Sequence, residues 1–233
     1  SVPLGTYFRR DVEIGSATWS GPSPAYAWSP DSRTIALHYV DRRAVPRFEM
    51  PYYLGASAQL NAVRRGAPGQ VNEVRMVGLL DVASRALSML ALPDSSNTRI
   101  VHFEWSPEGT LLIDRESDDA VDRTLVLITA SSRTPREVWR DHRETRVYND
   151  IASTWHADGR SILLTGDLDD RYRLYRLVPG ERVPVALTPG SSDVAGAGIP
   201  RAASRSIDYV SSAPRPSERH VFRVSTTGGS PRQ

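Results

Sequence analysis

Three times along this chain a short strand ends in tryptophan, turns tightly and returns as a second strand of mostly apolar residues. The copies are Ala27 to Leu37 around Trp28-Ser29-Pro30-Asp31-Ser32, Glu104 to Ile113 around Trp105-Ser106-Pro107-Glu108-Gly109, and Thr154 to Leu164 around Trp155-His156-Ala157-Asp158-Gly159. A hairpin this short cannot bury its own hydrophobic face, so its recurrence means copies packed against one another. A second hairpin follows each copy: Glu73 to Leu92 with a turn at Ala83-Ser84-Arg85, Arg123 to Trp139 with a turn at Ser131-Ser132, and Tyr172 to Leu187 with a turn at Pro179-Gly180. These runs alternate with period two and are bounded by turn formers, as strands are. Four antiparallel strands per repeat make one blade of a β-propeller. A weaker fourth copy, Arg205 to Tyr209 and His220 to Val224, turns at Thr227-Gly228-Gly229 and leaves no room for an outermost strand. The expected fold is all-β: a propeller segment of about four four-stranded antiparallel blades, the last one incomplete.

The same spacing divides the chain. Residues 1–20, with the strand-like Thr6 to Ile14, are expected to belong to a preceding blade or to close the last one. Blades are then expected at 21–95, 96–145, 146–192 and 193–233. Trp105 and Trp155 are 50 residues apart, whereas Trp28 and Trp105 are 77 apart, so the first blade carries an insertion. That insertion, residues 42–70, holds Val45-Pro46-Arg47-Phe48-Glu49-Met50-Pro51-Tyr52-Tyr53-Leu54. Two prolines and no helical period point to an extended arm. Apolar groups on a projecting segment usually cover something. Arg47, Phe48, Met50, Tyr52 and Tyr53 are therefore the candidate contacts for a second copy of the chain; the other reading is a loop folded back on its own blade.

Charge narrows the partners. Lysine is absent, and 29 arginines face 27 carboxylates for a net charge of +2. The sequence pI near 9.1 reflects arginine's high pKa rather than a basic surface. Acids and arginines alternate, as in Asp41-Arg42-Arg43, so a mixed-charge surface is expected and nucleic acid is not an expected partner. No apolar run is long enough to span a membrane as a helix. Without cysteine there are no disulfides or thiolate metal sites. No signal peptide is visible, and the opening on Ser1 rather than Met suggests processing.

No catalytic constellation emerges. There is no Gly-x-Ser-x-Gly elbow and no glycine-rich phosphate loop. The five histidines, at 38, 102, 142, 156 and 220, stand singly, without the spacing of a metal site. His156 reads as a turn residue. The acids Asp114, Glu116, Asp118, Asp119 and Asp122 lack the glycine and terminal glutamate of a calcium loop and read as a solvated hairpin. No catalytic residue, metal or cofactor is expected. Trp28, Trp105 and Trp155 hold equivalent positions and are read as core; Trp19 and Trp139 fall outside that frame and are more open to a surface role.

Taken in order, Trp28-Ser29-Pro30-Asp31-Ser32, Val45-Pro46-Arg47-Phe48, Arg64-Arg65 with Gly69, and Asn72-Glu73-Val74-Arg75 resemble the propeller domain of the dipeptidyl peptidase IV family of serine peptidases. Trp155 to Arg160, Asp170 to Tyr175, and Leu187-Thr188-Pro189-Gly190 with Asp193-Val194 fit the same pattern. The resemblance covers Tyr26 to the end. It implies a non-catalytic propeller that restricts and guides peptide substrates to a C-terminal α/β-hydrolase domain, an arm used for homodimer contacts, and a periplasmic or secreted bacterial protein. The family sets a pair of adjacent glutamates about ten residues before its first Trp-Ser-Pro to hold a substrate's amino terminus. Here that stretch is Gly15-Ser16-Ala17-Thr18-Trp19-Ser20, with Glu13 a lone acid nearby. A propeller-type protein-binding module with no hydrolase attached is the alternative from another class.

Overall fold

The computed structural model describes residues 11–15, 24–55, 57, 59–92, 98–129, 132–147 and 151–233. Trp19, most of the glutamate-pair stretch and residues 6–10 of the first expected strand lie outside these. In chain order the strands are β1 (Val12–Ile14), β2 (Tyr26–Trp28), β3 (Thr34–Asp41), β4 (Arg47–Tyr52), β5 (Gln59–Arg64), β6 (Val74–Asp81), β7 (Leu87–Met89), β8 (Thr98–Trp105), β9 (Thr110–Ser117), β10 (Asp122–Thr129), β11 (Arg136–His142), β12 (Thr154–Trp155), β13 (Ile162–Gly166), β14 (Arg173–Leu177), β15 (Val185–Ala186), β16 (Ile199–Arg201), β17 (Ser206–Ser211) and β18 (His220–Ser225). One 3-10 turn, Ala202–Ser204, is the helical element among the described residues.

Four antiparallel sheets follow one another along the chain. The first runs β1-β3-β6-β7 with β2 also paired to β3; then come β8 to β11, β12 to β15, and β16-β17-β18. The central strands read as continuous apolar runs because both of their faces are buried. In β9, Leu111 and Ile113 pack toward the first sheet with Ala36, Val77 and Leu79. Leu112, between them, packs toward the third sheet with Ile162 and Leu164. Leu163 and Leu174 in turn meet Ile207, Tyr209 and Val224 of the fourth. Three cores thus lie between four sheets. This is the stacking of propeller blades. At Gly198, just before β16, an added Cβ would stand 2.8 Å from Ile207 and 3.0 Å from Leu174, so glycine lets the fourth sheet approach the third closely.

The tryptophan turns are the same structure three times. The amides of Ser29, Ser106 and His156 donate to the carbonyls of Thr34, Thr110 and Ser161 at 2.8, 2.8 and 2.9 Å. Ser32, Gly109 and Gly159 take the left-handed position, with φ of 59, 80 and 67°. The serine hydroxyl of the first two turns accepts the Thr34 and Thr110 amides at 2.9 and 3.0 Å. His156, a turn residue as expected, cannot do this, and Asp158 replaces it by accepting the Ser161 amide at 2.8 Å. Burial works to raise the Asp158 carboxyl, but its bonds from the Ser161 amide and hydroxyl and the Arg160 amide outweigh this and bring it down to about 2.

Between sheets the tryptophans form a seam. The Trp105 indole N–H donates to the Ala27 carbonyl at 3.1 Å, and that of Trp155 to the Glu104 carbonyl at 3.3 Å. Each acceptor is the residue before the preceding copy's tryptophan. Trp105 and Trp155 pack against the first and second cores. Trp28, expected in the core, is instead 50 % exposed. It heads the stack, where no described sheet offers it a carbonyl or an apolar face. Trp139, expected nearer the surface, is buried in the second core, because β11 brings it onto the same face as Leu125.

Two edges differ from expectation. Val12–Ile14 belong neither to another blade nor to the last one; they pair with Tyr39–Asp41 of the first sheet. The reason is geometric: β2 covers only Ile35–Leu37 of an eight-residue strand, leaving the rest of that edge open. At the far end the outermost strand is missing as such, but Arg232 exchanges two backbone bonds with Arg223, at 2.7 and 2.8 Å, in the place where it would lie.

Candidate functional site

The insertion expected at residues 42–70 is a two-stranded hairpin. Arg47 of β4 pairs with Arg64 of β5, Phe48 with Val63, and Tyr52 with Gln59. Alternation puts Phe48, Met50 and Tyr52 on one face and Arg47, Glu49 and Pro51 on the other. Every residue of β4 is exposed. Phe48 is 55 % exposed and Tyr53 72 %. The hairpin does not fold back onto the blade: among its described side chains only Val63 is buried, with Val45 just before it. The structure therefore brings Phe48, Met50 and Tyr52 together, sets Tyr53 beyond the strand end, and turns Arg47 away from them.

An ionic base fixes where the arm leaves the sheet. Arg42, 1 % exposed at the end of β3, places Nη1 3.1 Å from Glu13 Oε1 and Nε 2.5 Å from Glu73 Oε2. Arg75 contacts the other oxygen of Glu73 at 2.5 Å. Burial works to raise the Glu73 carboxyl, but the Arg75 and Arg42 charges outweigh it and hold the group below the usual carboxylate range. Arg64 closes the hairpin, donating Nη1–H to the Val45 carbonyl at 2.8 Å while it pairs with Asp11. Arg42 and Glu73 thus bracket the insertion. Sequence reading missed this role; the signal was the arginine and glutamate sitting at the insertion's two ends. Glu13 is spent on Arg42 and presents no open carboxylate.

The acidic run is not the solvated hairpin expected. Asp114 and Glu116 are buried in β9. Asp114 holds Arg123 through Nη2 at 2.8 Å and Nε at 3.2 Å, while Glu116 pairs with Arg99 at 2.7 Å. Arg123 also reaches the third sheet region, donating to the carbonyls of Thr165 and Ile151, both at 3.1 Å, and to Ser153 Oγ at 2.8 Å. Asp122 pairs with Arg140 and His142, and Asp118 accepts from Asn72 at 2.8 Å. Among the described residues no three acidic or histidine groups gather as metal ligands. The arrangement is adhesive chemistry: it joins sheets and anchors an arm.

Four stacked antiparallel sheets with a tryptophan seam define a β-propeller segment. Residues 21–233 match the sequence model of the dipeptidyl peptidase IV N-terminal region. The chain belongs to that family. A protein of Aspergillus niger assigned as dipeptidyl-aminopeptidase B is 23 % identical over 262 aligned residues, covering 97 % of this chain and 27 % of the relative. Dipeptidyl peptidase 4 of Porphyromonas gingivalis superposes with a TM-score of 0.82 at 21 % identity, over 94 % of this chain and 32 % of that one. A Bacteroides ovatus protein assigned as a dipeptidyl aminopeptidase IV gives 0.81 at 15 % identity, over 96 % and 35 %. The chain spans about a third or less of each of these relatives. At those identities the structural likenesses speak for the fold.

Proposed function

We propose that this chain is the non-catalytic propeller wall of a dipeptidyl-peptidase-IV-like serine peptidase, restricting and guiding peptide substrates toward an α/β-hydrolase domain of the same parent protein. The observation that carries the reading is the family match along nearly the whole chain. Its geometry suits the role: three interlocked cores make the four sheets a stiff wall. One sheet face remains apolar and open, with Tyr26, Trp28, Leu87 and Met89 exposed 58, 50, 38 and 37 %. A neighbouring blade of a larger ring would cover it. The test compares the parent polypeptide with this chain alone on Gly-Pro and Ala-Pro chromogenic substrates. Turnover sensitive to a serine-directed inhibitor is expected from the parent and none from the chain. Turnover by the chain alone, or a parent that cleaves folded proteins as readily as short peptides, overturns the reading.

The arm supports a second copy of the chain as partner. Phe48, Met50 and Tyr52 form one exposed apolar face on a hairpin, which a two-fold contact can use twice. Exchanging residues 48–62 for a short glycine-serine turn should convert a dimer to a monomer in light scattering, with the far-ultraviolet circular dichroism kept. An intact protein that is monomeric at high concentration refutes this contact.

A further inference from the structure

A cavity of about 530 Å³ opens between the second and third sheets. It lies at the end of the stack that carries the tryptophan turns; antiparallel connectivity puts the arm at the other end. Its volume falls within the ~300–1,000 Å³ of small-ligand sites. Trp155, Leu127, Pro135 and Pro179 supply apolar lining. The Trp155 ring cannot swing away, because its indole N–H is bonded to the Glu104 carbonyl and its amide to the Glu104 carboxylate. The two prolines present no N–H to a ligand.

The polar lining falls into two sets. Thr129 and Ser132 share a 2.9 Å hydroxyl bond, and Ser132 also accepts the Thr134 amide at 3.3 Å, so these groups are already engaged. The guanidiniums are not. The Arg136 side chain is exposed and makes no hydrogen bond or ion pair among the described residues. Arg160, 80 % exposed, reaches only Glu108, itself 60 % exposed, through Nε at 3.3 Å. A pair this open to water holds weakly and yields to a better acceptor. Two forked cations beside one fixed aromatic face and one loosely held carboxylate call for a ligand with an anionic oxygen pair next to an apolar body.

We propose that this cavity is a docking site for an acidic segment of a partner polypeptide, an apolar side chain lying on Trp155 and the neighbouring carboxylate forked by Arg136. An extended peptide places adjacent groups on opposite sides at a rise of ~3.3 Å per residue, so neighbouring apolar and acidic side chains can meet two walls of one cleft. The site is separate from the arm.

The probe is the acetylated, amidated tetrapeptide Ala-Phe-Glu-Ala, with Ala-Phe-Gln-Ala as its neutral counterpart, titrated into the intact protein and read by saturation-transfer NMR. That readout registers affinities as weak as millimolar. Binding is expected with the strongest transfer at the phenylalanine ring, weakened at least tenfold for the glutamine peptide and at least tenfold in Arg136→Gln. Arg136 is exposed and outside every core, so the variant should fold; Arg201→Gln, on the fourth sheet, is the charge-matched control and should bind as wild type. No saturation transfer at millimolar peptide, equal affinity for the two peptides, or equal effects of Arg136→Gln and Arg201→Gln would each overturn the proposal.

Discussion

Replacing Arg123 by methionine tests how the second and third sheets are held together. The guanidinium is 2 % exposed against a fully buried Asp114. It makes two bonds to that carboxylate and three more to Thr165, Ile151 and Ser153. Methionine keeps the apolar stem but removes the ion-pair partner of Asp114, which still accepts the Ser153 amide at 2.8 Å. Breaking one side of a buried ion pair costs about 3–5 kcal/mol, mostly the desolvation of the charge left behind. For a chain of this size about 1 kcal/mol moves Tm by roughly 2–4 °C, so a fall of roughly 6–20 °C is expected. Removing both charges, Asp114→Leu with Arg123→Met, should recover part of that loss, because no lone charge remains, although the Thr165 and Ile151 carbonyls and the Ser153 amide and hydroxyl lose these partners. Differential scanning fluorimetry followed by urea unfolding reads the whole cycle. If Arg123→Met shifts Tm by less than about 2 °C, or the double variant is no better than the single, the buried pair does not hold the seam and the argument fails.

Two further outcomes follow from the turns and the seam. Trp105→Phe loses the bond to the Ala27 carbonyl and should cost about 1–2 kcal/mol in urea unfolding, whereas Trp28→Phe, half-exposed at the head of the stack, should cost under about 0.5 kcal/mol; equal losses would refute the seam. The Asp158 carboxyl titrates near 2 in the folded chain and near 3.9 unfolded, so its contribution is complete above about pH 4 and lost as pH falls toward 2. The stability gap between wild type and Asp158→Asn should therefore shrink between pH 4 and pH 2 in acid unfolding, and a constant gap would show that the carboxylate charge is irrelevant there.

The repeat and its arm were legible because both rest on local patterns: period-two strands, turn residues and the long step from Trp28 to Trp105. What stayed hidden depends on which element faces which. Trp28 carries the same local signature as Trp105, and nothing in a repeat says which copy heads the stack. Asp114 and Glu116 look solvated by composition, since an acidic run usually is. They are buried because Arg123 and Arg99 lie across from them in neighbouring strands, with Arg123 directly opposite Glu116 and diagonal to Asp114. Glu13 reads as isolated because its partner, Arg42, directly follows β3, a strand whose edge is shared between β2 at Ile35–Leu37 and β1 at Tyr39–Asp41.

Hydrophobic burial brings sheets together but does not set their register, being non-directional. In this chain the register is set at each seam by different directional bonds. The first two seams use the tryptophan indole, and the second adds the Arg123 fork. The fourth copy has no tryptophan, so the third seam needs another device. Asp193 supplies it: its carboxylate accepts the Tyr172 amide at 3.2 Å, while its carbonyl accepts the Ser212 amide at 3.0 Å. The Val194 amide, bonded to the Tyr172 carbonyl at 2.8 Å, completes a short strip shared by the third and fourth sheets. This linkage replaces a bulky ring with backbone, and Gly198 permits the closer approach that follows. A blade can therefore lose the repeat's tryptophan and keep its place, provided a polar bridge of similar directionality takes over. That is why the fourth copy is faint in sequence yet continuous in the fold.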